Sequence, residues 1–416
     1  MVSLRRSPGV RATTGAARRR AGWGVARVLV IGGGIAGTAA ALALHKAGFE
    51  VTVHEAHPGT AEDLGAFLTL ASNGMRALAQ IDASAAVTAL GFPLTSMRVL
   101  DDAGAELAQV PLGEAADPPL QYRCLRRGDL TAALQTEAAR RGIVIRHGAR
   151  LASVQEGPDG VTAHFTDGST ATGDLLVGAD GLNSTVRRQI APHTQPCYAG
   201  QRVFYGYTDA ADRSGPQARI TMVRGSTAAF GYAVSPGGET YWFARVSGEP
   251  LDADEIVDGS PAGWRELLVP LLRKDATPAA DIVAAAGDEV MVTNATEIPA
   301  GTPWRSGPLL LIGDAAHAAS PATGQGASMA LEDAVILAKC LRDAPETDTA
   351  LTLYEDLRRP RVEHNITVSG NISRGTHSPS PDGRRGAPPA RPGEDALIRL
   401  LEWESDIRDG QSARNA

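Results

Sequence analysis

One segment limits the folds open to this chain more than any other. Gly32-Gly33-Gly34-Ile35-Ala36-Gly37 is a GxGxxG set between two runs of different periodicity. Before it, residues 26–31 (ARVLVI) are a short, mostly apolar run of strand formers. After it, residues 38–47 are mostly apolar and rich in helix formers, and residues 49–54 (FEVTVH) return to a strand pattern. Strand, tight turn, helix, strand is a βαβ unit and implies a parallel sheet. In such a turn Gly32 permits the bend, Gly34 lets the backbone approach a pyrophosphate, and Gly37 lets helix and strand pack closely. The helix start at Ile35 and Ala36 then presents free amides to the phosphates. Glu55 ends the second strand, where a carboxylate binds ribose hydroxyls and repels a 2′-phosphate. Alone, a GxGxxG is a weak signal, and the alternative is a glycine turn beside a surface Glu. The flanking strand and helix favour dinucleotide binding, with a tightly held NADP disfavoured.

Composition excludes several classes. With 416 residues, two to three domains are expected. The 43% hydrophobic and 21% charged content exclude a mainly disordered chain and a polytopic membrane protein. Net charge is −7, yet residues 1–27 hold seven Arg and no acid, leaving 33 basic against 47 acidic residues elsewhere. An acidic body argues against nucleic acid as partner. Three widely spaced cysteines make neither a disulfide framework nor a zinc site, so a reducing cytoplasm is expected. The basic start and apolar run of residues 18–44 resemble an export signal or membrane span, but the glycines weaken a helix there and the nucleotide turn explains them better. Residues 1–25 are therefore expected to be a disordered basic tail.

Further along, residues 73–90 and 127–141 read as helices, and residues 97–110 as a hairpin about Asp102 and Gly104. Residues 143–146, 161–165 and 171–177 read as strands. Residues 201–247 alternate short β-rich runs with turns and carry much of the aromatic content, which suggests an antiparallel sheet in a second domain. Residues 309–312 form another buried strand run. A second glycine pair, Gly324 and Gly326, precedes a long helix expected over 328–341. Residues 375–392 are rich in Pro, Gly, Ser and Arg, which predicts mobility, and a closing helix is expected over 394–407.

Three ordered motifs now stand out: Gly32, Gly34 and Gly37 with Glu55; the segment VGADGLNSTVR at 177–187; and Gly313-Asp314 with Pro321 and Gly324-Gln325-Gly326. Arg127-Gly128-Asp129-Leu130 and the run YEDLRRPRV at 354–362 add weaker matches. Together they resemble the FAD-dependent aromatic hydroxylases, the group A flavoprotein monooxygenases of the para-hydroxybenzoate hydroxylase type, over about residues 26–370. The resemblance implies an α/β fold in which a Rossmann-like FAD-binding domain carries an inserted antiparallel-sheet substrate domain. It assigns residues 26–95, 125–195 and 301–345 to the first and 96–124 and 196–300 to the second, followed by C-terminal helices over 346–416.

By the same resemblance, Asp314 hydrogen-bonds the ribityl chain, and backbone amides over 324–327, including those of Gly324, Gly326 and Ala327, face the flavin pyrimidine edge. Pro321 belongs to that motif. Asp180 and Arg187 belong to the motif linked to FAD and NAD(P)H use, although Asp-Gly is also a common turn dipeptide. Arg127 contacts the flavin chain, with Arg126 the alternative if the register slips by one. The implied reaction has NADH or NADPH, bound transiently, reduce FAD. Dioxygen then forms a flavin C4a-hydroperoxide that passes one oxygen to an aromatic or alkene small molecule, by hydroxylation or epoxidation. The Arg-rich, Lys-poor composition points to a GC-rich coding genome and says little about function; such a bacterial origin with a short chain would suit a catabolic aromatic hydroxylase or a natural-product tailoring enzyme. Tyr205, Tyr207, Tyr232, Trp242 and Phe243 are candidate substrate contacts, against the alternative of a sheet core. His317 reads as structural, and no catalytic base or metal site is assigned. The competing functions are a reductase or oxidase of the same fold without oxygen insertion, and a non-catalytic flavin-binding protein. The oligomeric state stays open.

Overall fold

A computed structural model describes residues 27–60, 66–158, 160–209, 218–376 and 394–408. The basic tail and almost all of the Pro/Gly-rich stretch lie outside the described residues. Arg27–Ile31 sits inside a six-stranded sheet ordered Arg305–Ser306, Leu309–Leu311, Leu175–Gly178, Arg27–Ile31, Glu50–His54, Val144–Arg146. All pairings are parallel except that of the two-residue edge strand Arg305–Ser306. The central strands are continuous apolar runs because both faces are covered. On one side, helix Ile35–Lys46 buries residues 39–44 (AAALAL) completely, and its small side chains let helix Gly326–Asp343 pack closely against it. A three-stranded antiparallel sheet, Leu151–Gly157, Gly160–Phe165 and Thr170–Gly173, adds Val161, Ala163 and Phe165 to the same core.

The second large sheet is ordered Val290–Glu297, Cys197–Thr208, Thr240–Ser247, Ala228–Val234, Arg219–Arg224, Ser96–Leu100, Glu106–Pro111. It is antiparallel apart from the pairing of Arg219–Arg224 with Ser96–Leu100. One face packs on helices Pro261–Leu272 and Ala279–Ala284 through Phe204, Phe230 and Trp242. The other face meets Phe67 and Phe92, from a small sheet formed by Phe67–Leu70, Tyr122–Arg126 and Phe92–Leu94.

Three expectations need correction. Residues 73–90 form two helices, Ser72–Gln80 and Ser84–Thr88, because Asp82 takes a left-handed φ of 56° between them. Residues 171–177 are two strands in different sheets. The chain changes sheets at Asp174, whose carboxylate accepts from the Arg27 amide at 2.8 Å. The closing helix ends at Leu401 rather than 407, although Ile407 remains buried. Among the described residues no helix is long and apolar enough to cross a membrane, and Cys124, Cys197 and Cys340 are all free.

Candidate active site

The glycines of the first turn answer to different neighbours. Gly32 has φ 104°, and a Cβ there would run into the Ala179 carbonyl. A Cβ on Gly37 would run into the Gly32 carbonyl, so this glycine is set by helix-on-strand contact. Gly34 differs: a Cβ there meets nothing within 4 Å, so its face is open. Helix Ile35–Lys46 begins beside it with no acidic residue in its first turn and no side-chain cap, which leaves its first amides for an anion. Glu55 holds this turn in place. Its two oxygens accept from the amides of Gly33 at 2.5 Å and His57 at 2.6 Å. The Gly33 carbonyl is in turn held by Gln135 Nε2 at 2.7 Å and Thr38 Oγ1 at 2.8 Å.

The turn at residues 313–326 meets the first one directly. Gly313 has φ 56°, and its Cβ position lies 2.7 Å from Ala36 Cβ. Asp314 follows with its side chain 44% exposed, 4.0 Å from Nη2 of the 59% exposed Arg127. Among the described residues neither side chain makes another ion pair. The neighbouring Arg126 points elsewhere, across to the second sheet. There it pairs with Glu239 at 2.8 Å and Glu289 at 3.6 Å and lies 3.9 Å from the Tyr207 ring centre. Beyond Asp314, Pro321, Gly324 and Gly326 form an exposed edge, with Ala327 half-buried behind it. The left-handed Gly324 lies against Thr69.

Asp180 and Arg187 face inward. The Asp180 carboxylate accepts from Ser184 Oγ at 2.5 Å and from the amides of Thr185 and Val186 at 2.7 and 3.2 Å, capping helix Thr185–Ile190. Burial raises its pKa, against those hydrogen bonds. Arg187 is 2% exposed; it donates to the carbonyls of Ala315 at 2.9 Å and Leu182, and burial lowers its pKa.

Beneath these turns lies a buried charge network that the sequence reading missed. Asp333 accepts from the Gly313 amide at 2.9 Å, His317 Nε2 lies 2.6 Å away, and Arg358 Nε donates at 2.7 Å. Burial opposes ionisation of Asp333, but His317, Arg358 and the Gly313 amide outweigh it and hold its pKa down to about 2. Glu332 accepts from Arg358, Arg361 and Asn73 at 2.6 to 2.9 Å. The available signal was an acidic pair inside an otherwise apolar helix, SMALEDAVILAK, combined with the arginines of LRRPR.

Strand alternation sorts the five aromatic candidates. Tyr205, Tyr207 and Phe243 share the face that meets Phe67, whose ring centre lies 6.2, 6.3 and 6.3 Å from theirs. Tyr241, not foreseen, joins them at 5.5 Å. Tyr232 and Trp242 are corrected. They project from the opposite face, into the core formed with the covering helices, where Trp242 stacks on Phe230 at 6.0 Å. The Tyr205 hydroxyl is pushed up to about 12 by burial, with Arg127 and Arg245 pulling the other way.

A family model described as an FAD binding domain matches residues 25–369. The chain belongs to the FAD-dependent aromatic hydroxylase family. It is 32% identical to the aurachin C monooxygenase/isomerase of Stigmatella aurantiaca over 353 residues, covering 83% of this chain and 88% of that protein. It is also 32% identical to the 3-amino-4-hydroxybenzoate 2-monooxygenase of Streptomyces cremeus over 360 residues, covering 81% and 84%. The crystal structure of Klebsiella pneumoniae HpxO complexed with FAD and uric acid superposes with a TM-score of 0.76 at 26% identity, over 94% of this chain and 96% of that one. This member of the family is an FAD-dependent monooxygenase. Its residues fit the cofactor: a Cβ at Gly34 would meet nothing, the helix start beside it is uncapped, Asp314 and Arg127 face each other while largely exposed, and Pro321, Gly324 and Gly326 are exposed.

Proposed function

We propose that this chain uses NADH or NADPH and O2 to place one oxygen atom on an aromatic small molecule held against the Tyr205–Tyr207–Phe243 face, in the cytoplasm. The observation that carries this reading is the arrangement of Phe67 and Thr69. Two residues apart on one short strand, they touch the aromatic sheet face and the Gly324 turn respectively, so the aromatic face and the cofactor edge border one space. Bound FAD supplies the oxygen-activating chemistry.

The chain's own residues bind, orient and exclude water. Glu55 fixes the first turn and holds the adenosine ribose, and the amides of Ile35 and Ala36 receive the pyrophosphate. Asp314 and Arg127 hold the chain between pyrophosphate and ring, and the start of helix Gly326–Asp343 turns its positive end to the pyrimidine edge. Asp180 and Arg187 act from behind, keeping the loop at 179–184 against Gly32 and Ala315. The packed aromatic rings on Phe67 exclude water from the oxygen-transfer space. Relatives named for aurachin C and 3-amino-4-hydroxybenzoate make those two compounds the first to try. The test is turnover of purified holoenzyme with NADH or NADPH under 18O2. One labelled oxygen in the product is expected, and NAD(P)H oxidation yielding only hydrogen peroxide with every aromatic offered would sink the reading.

A further inference from the structure

Arg126 closes strand Tyr122–Arg126, two residues after Cys124 and on the same face. In register it sits opposite Phe67, and Cys124 sits opposite Thr69, so these four side chains share one face of the small sheet. Phe67 and Cys124 pack in one cluster with Tyr207 and Tyr241 of the large sheet. Arg126 crosses to that sheet. Its guanidinium lies over the Tyr207 ring at 3.9 Å and 5.9 Å from the Tyr241 ring centre, and it pairs with Glu239 at 2.8 Å and Glu289 at 3.6 Å. Glu239 directly precedes strand Thr240–Ser247 and Glu289 directly precedes strand Val290–Glu297. These are the two neighbours of Cys197–Thr208, the strand that carries Tyr207. One cation thus ties together the ends of both flanking strands, across Tyr207.

Tyr207, Asp209, Glu239 and Glu289 line an open cleft of about 490 Å3, a volume within the usual range for a small-molecule site. Tyr207 is 5% exposed, and among the described residues its buried hydroxyl has no hydrogen-bond partner. This residue belongs both to the wall of the cleft and to the aromatic cluster, with Arg126 laid on its ring. Two residues back along the strand, Tyr205 feels the charge of Arg127, which faces Asp314, whereas Tyr207 feels that of Arg126. The strand therefore leads from the cofactor side to the cleft. The side chains of Arg126, Glu239 and Glu289 are 33%, 36% and 62% exposed. Ion pairs this open to water are weak, so the contact covers the ring without locking it.

We propose that the cleft is the outer station on the route by which an aromatic substrate reaches the Tyr205–Tyr207–Phe243 face, and that Arg126, held by Glu239 and Glu289, is the latch across it. Release of the two ion pairs frees a long side chain to swing into water and uncovers the Tyr207 ring. That an aromatic substrate is what passes rests on the monooxygenase reading above.

The test reads entry directly. FAD-loaded wild type, Arg126→Ala, Arg126→Lys and the double variant Glu239→Gln/Glu289→Gln are treated with N-phenylmaleimide, an uncharged aromatic that the carboxylates of the cleft neither attract nor repel. Alkylation of each cysteine is followed by peptide mass spectrometry. Cys124 and Cys340 are both fully buried, the first in the aromatic cluster and the second in helix Gly326–Asp343, so Cys340 reports general loosening. Arg126→Ala and the double variant should each label Cys124 about 10-fold faster than wild type, with Cys340 within about 2-fold. Arg126→Lys, which keeps the charge, should fall between wild type and Arg126→Ala. Equal Cys124 rates in all four proteins overturn the proposal, as does parallel acceleration of Cys124 and Cys340. Acceleration in Arg126→Ala alone also overturns it, because the two acids then hold no latch. A wild type that retains no flavin fails the monooxygenase reading instead, and its cysteine rates are still read, so the two failures are distinct.

Discussion

Nη1 of Arg187 donates to the backbone carbonyl of Ala315 at 2.9 Å, which ties the loop after strand Leu175–Gly178 to the helix that begins at Asp314. The same side chain also donates to the Leu182 carbonyl, so one planar group holds both turns. Arg187→Lys keeps a charge but not the fork. Arg187→Met and Arg187→Lys should both lose about 1–3 kcal/mol of stability by chemical denaturation and both weaken FAD retention. Full rescue by lysine would contradict the bracing role.

Gly32, Gly34 and Gly37 should separate under alanine substitution. Gly34→Ala enters open space and should leave the apoprotein's stability within about 0.5 kcal/mol of wild type while weakening FAD at least about 10-fold. Gly37→Ala runs into backbone and should lower the apoprotein Tm before any effect on flavin is read. Equal effects of the two substitutions on apoprotein Tm would refute the distinction.

Glu55→Gln tests the other half of the first turn. Two amides, those of Gly33 and His57, need two acceptors, and a glutamine side chain offers one together with a clashing NH2. FAD affinity, followed by fluorescence on reconstitution, should fall by about 10-fold or more, matching the loss of one charge-assisted hydrogen bond.

Acid should destabilise the protein through His54. Its ring is 3% exposed, stacks on Phe165 at 4.5 Å, and among the described residues has no hydrogen-bond partner on either nitrogen. Burial, helped by Arg146, lowers its pKa from 6.5 to about 4. Between those values the unfolded chain binds a proton that the folded one does not. His54 therefore subtracts stability progressively as pH falls from about 6.5 to about 4. His54→Phe should flatten that part of the Tm–pH curve, and an unchanged slope would exclude His54 as its source.

Arg358→Met should cost about 3–5 kcal/mol, because it removes the one cation that two buried carboxylates, Glu332 and Asp333, share. Denaturant unfolding of the apoprotein measures this without reference to flavin.

The turns were legible in the sequence because their requirements are local: a glycine with nowhere to put a Cβ is visible as a glycine. The aromatic strands were legible as strands but not as faces, since choosing between Tyr205 and Trp242 requires knowing which side meets Phe67. What surrounds a buried charged side chain is set by neighbours far along the chain. The Glu332–Asp333 network was hidden for the same reason, its arginines lying 25 to 29 residues further along. Asp82 broke an expected helix through a backbone angle that its residue type permits but does not announce.

The packing of Gly313 against Ala36 has a consequence for biosynthesis. The two halves of the nucleotide cradle are made almost 280 residues apart, and the strand that brings the second half into the sheet, Leu309–Leu311, pairs only after Leu175–Gly178 is in place. A nascent chain on the ribosome thus carries an incomplete parallel sheet with an exposed edge until residues 309–326 emerge. Flavin capture waits for that segment, and ribosome-arrested chains ending before residue 326 should remain colourless however much FAD the translation mixture contains.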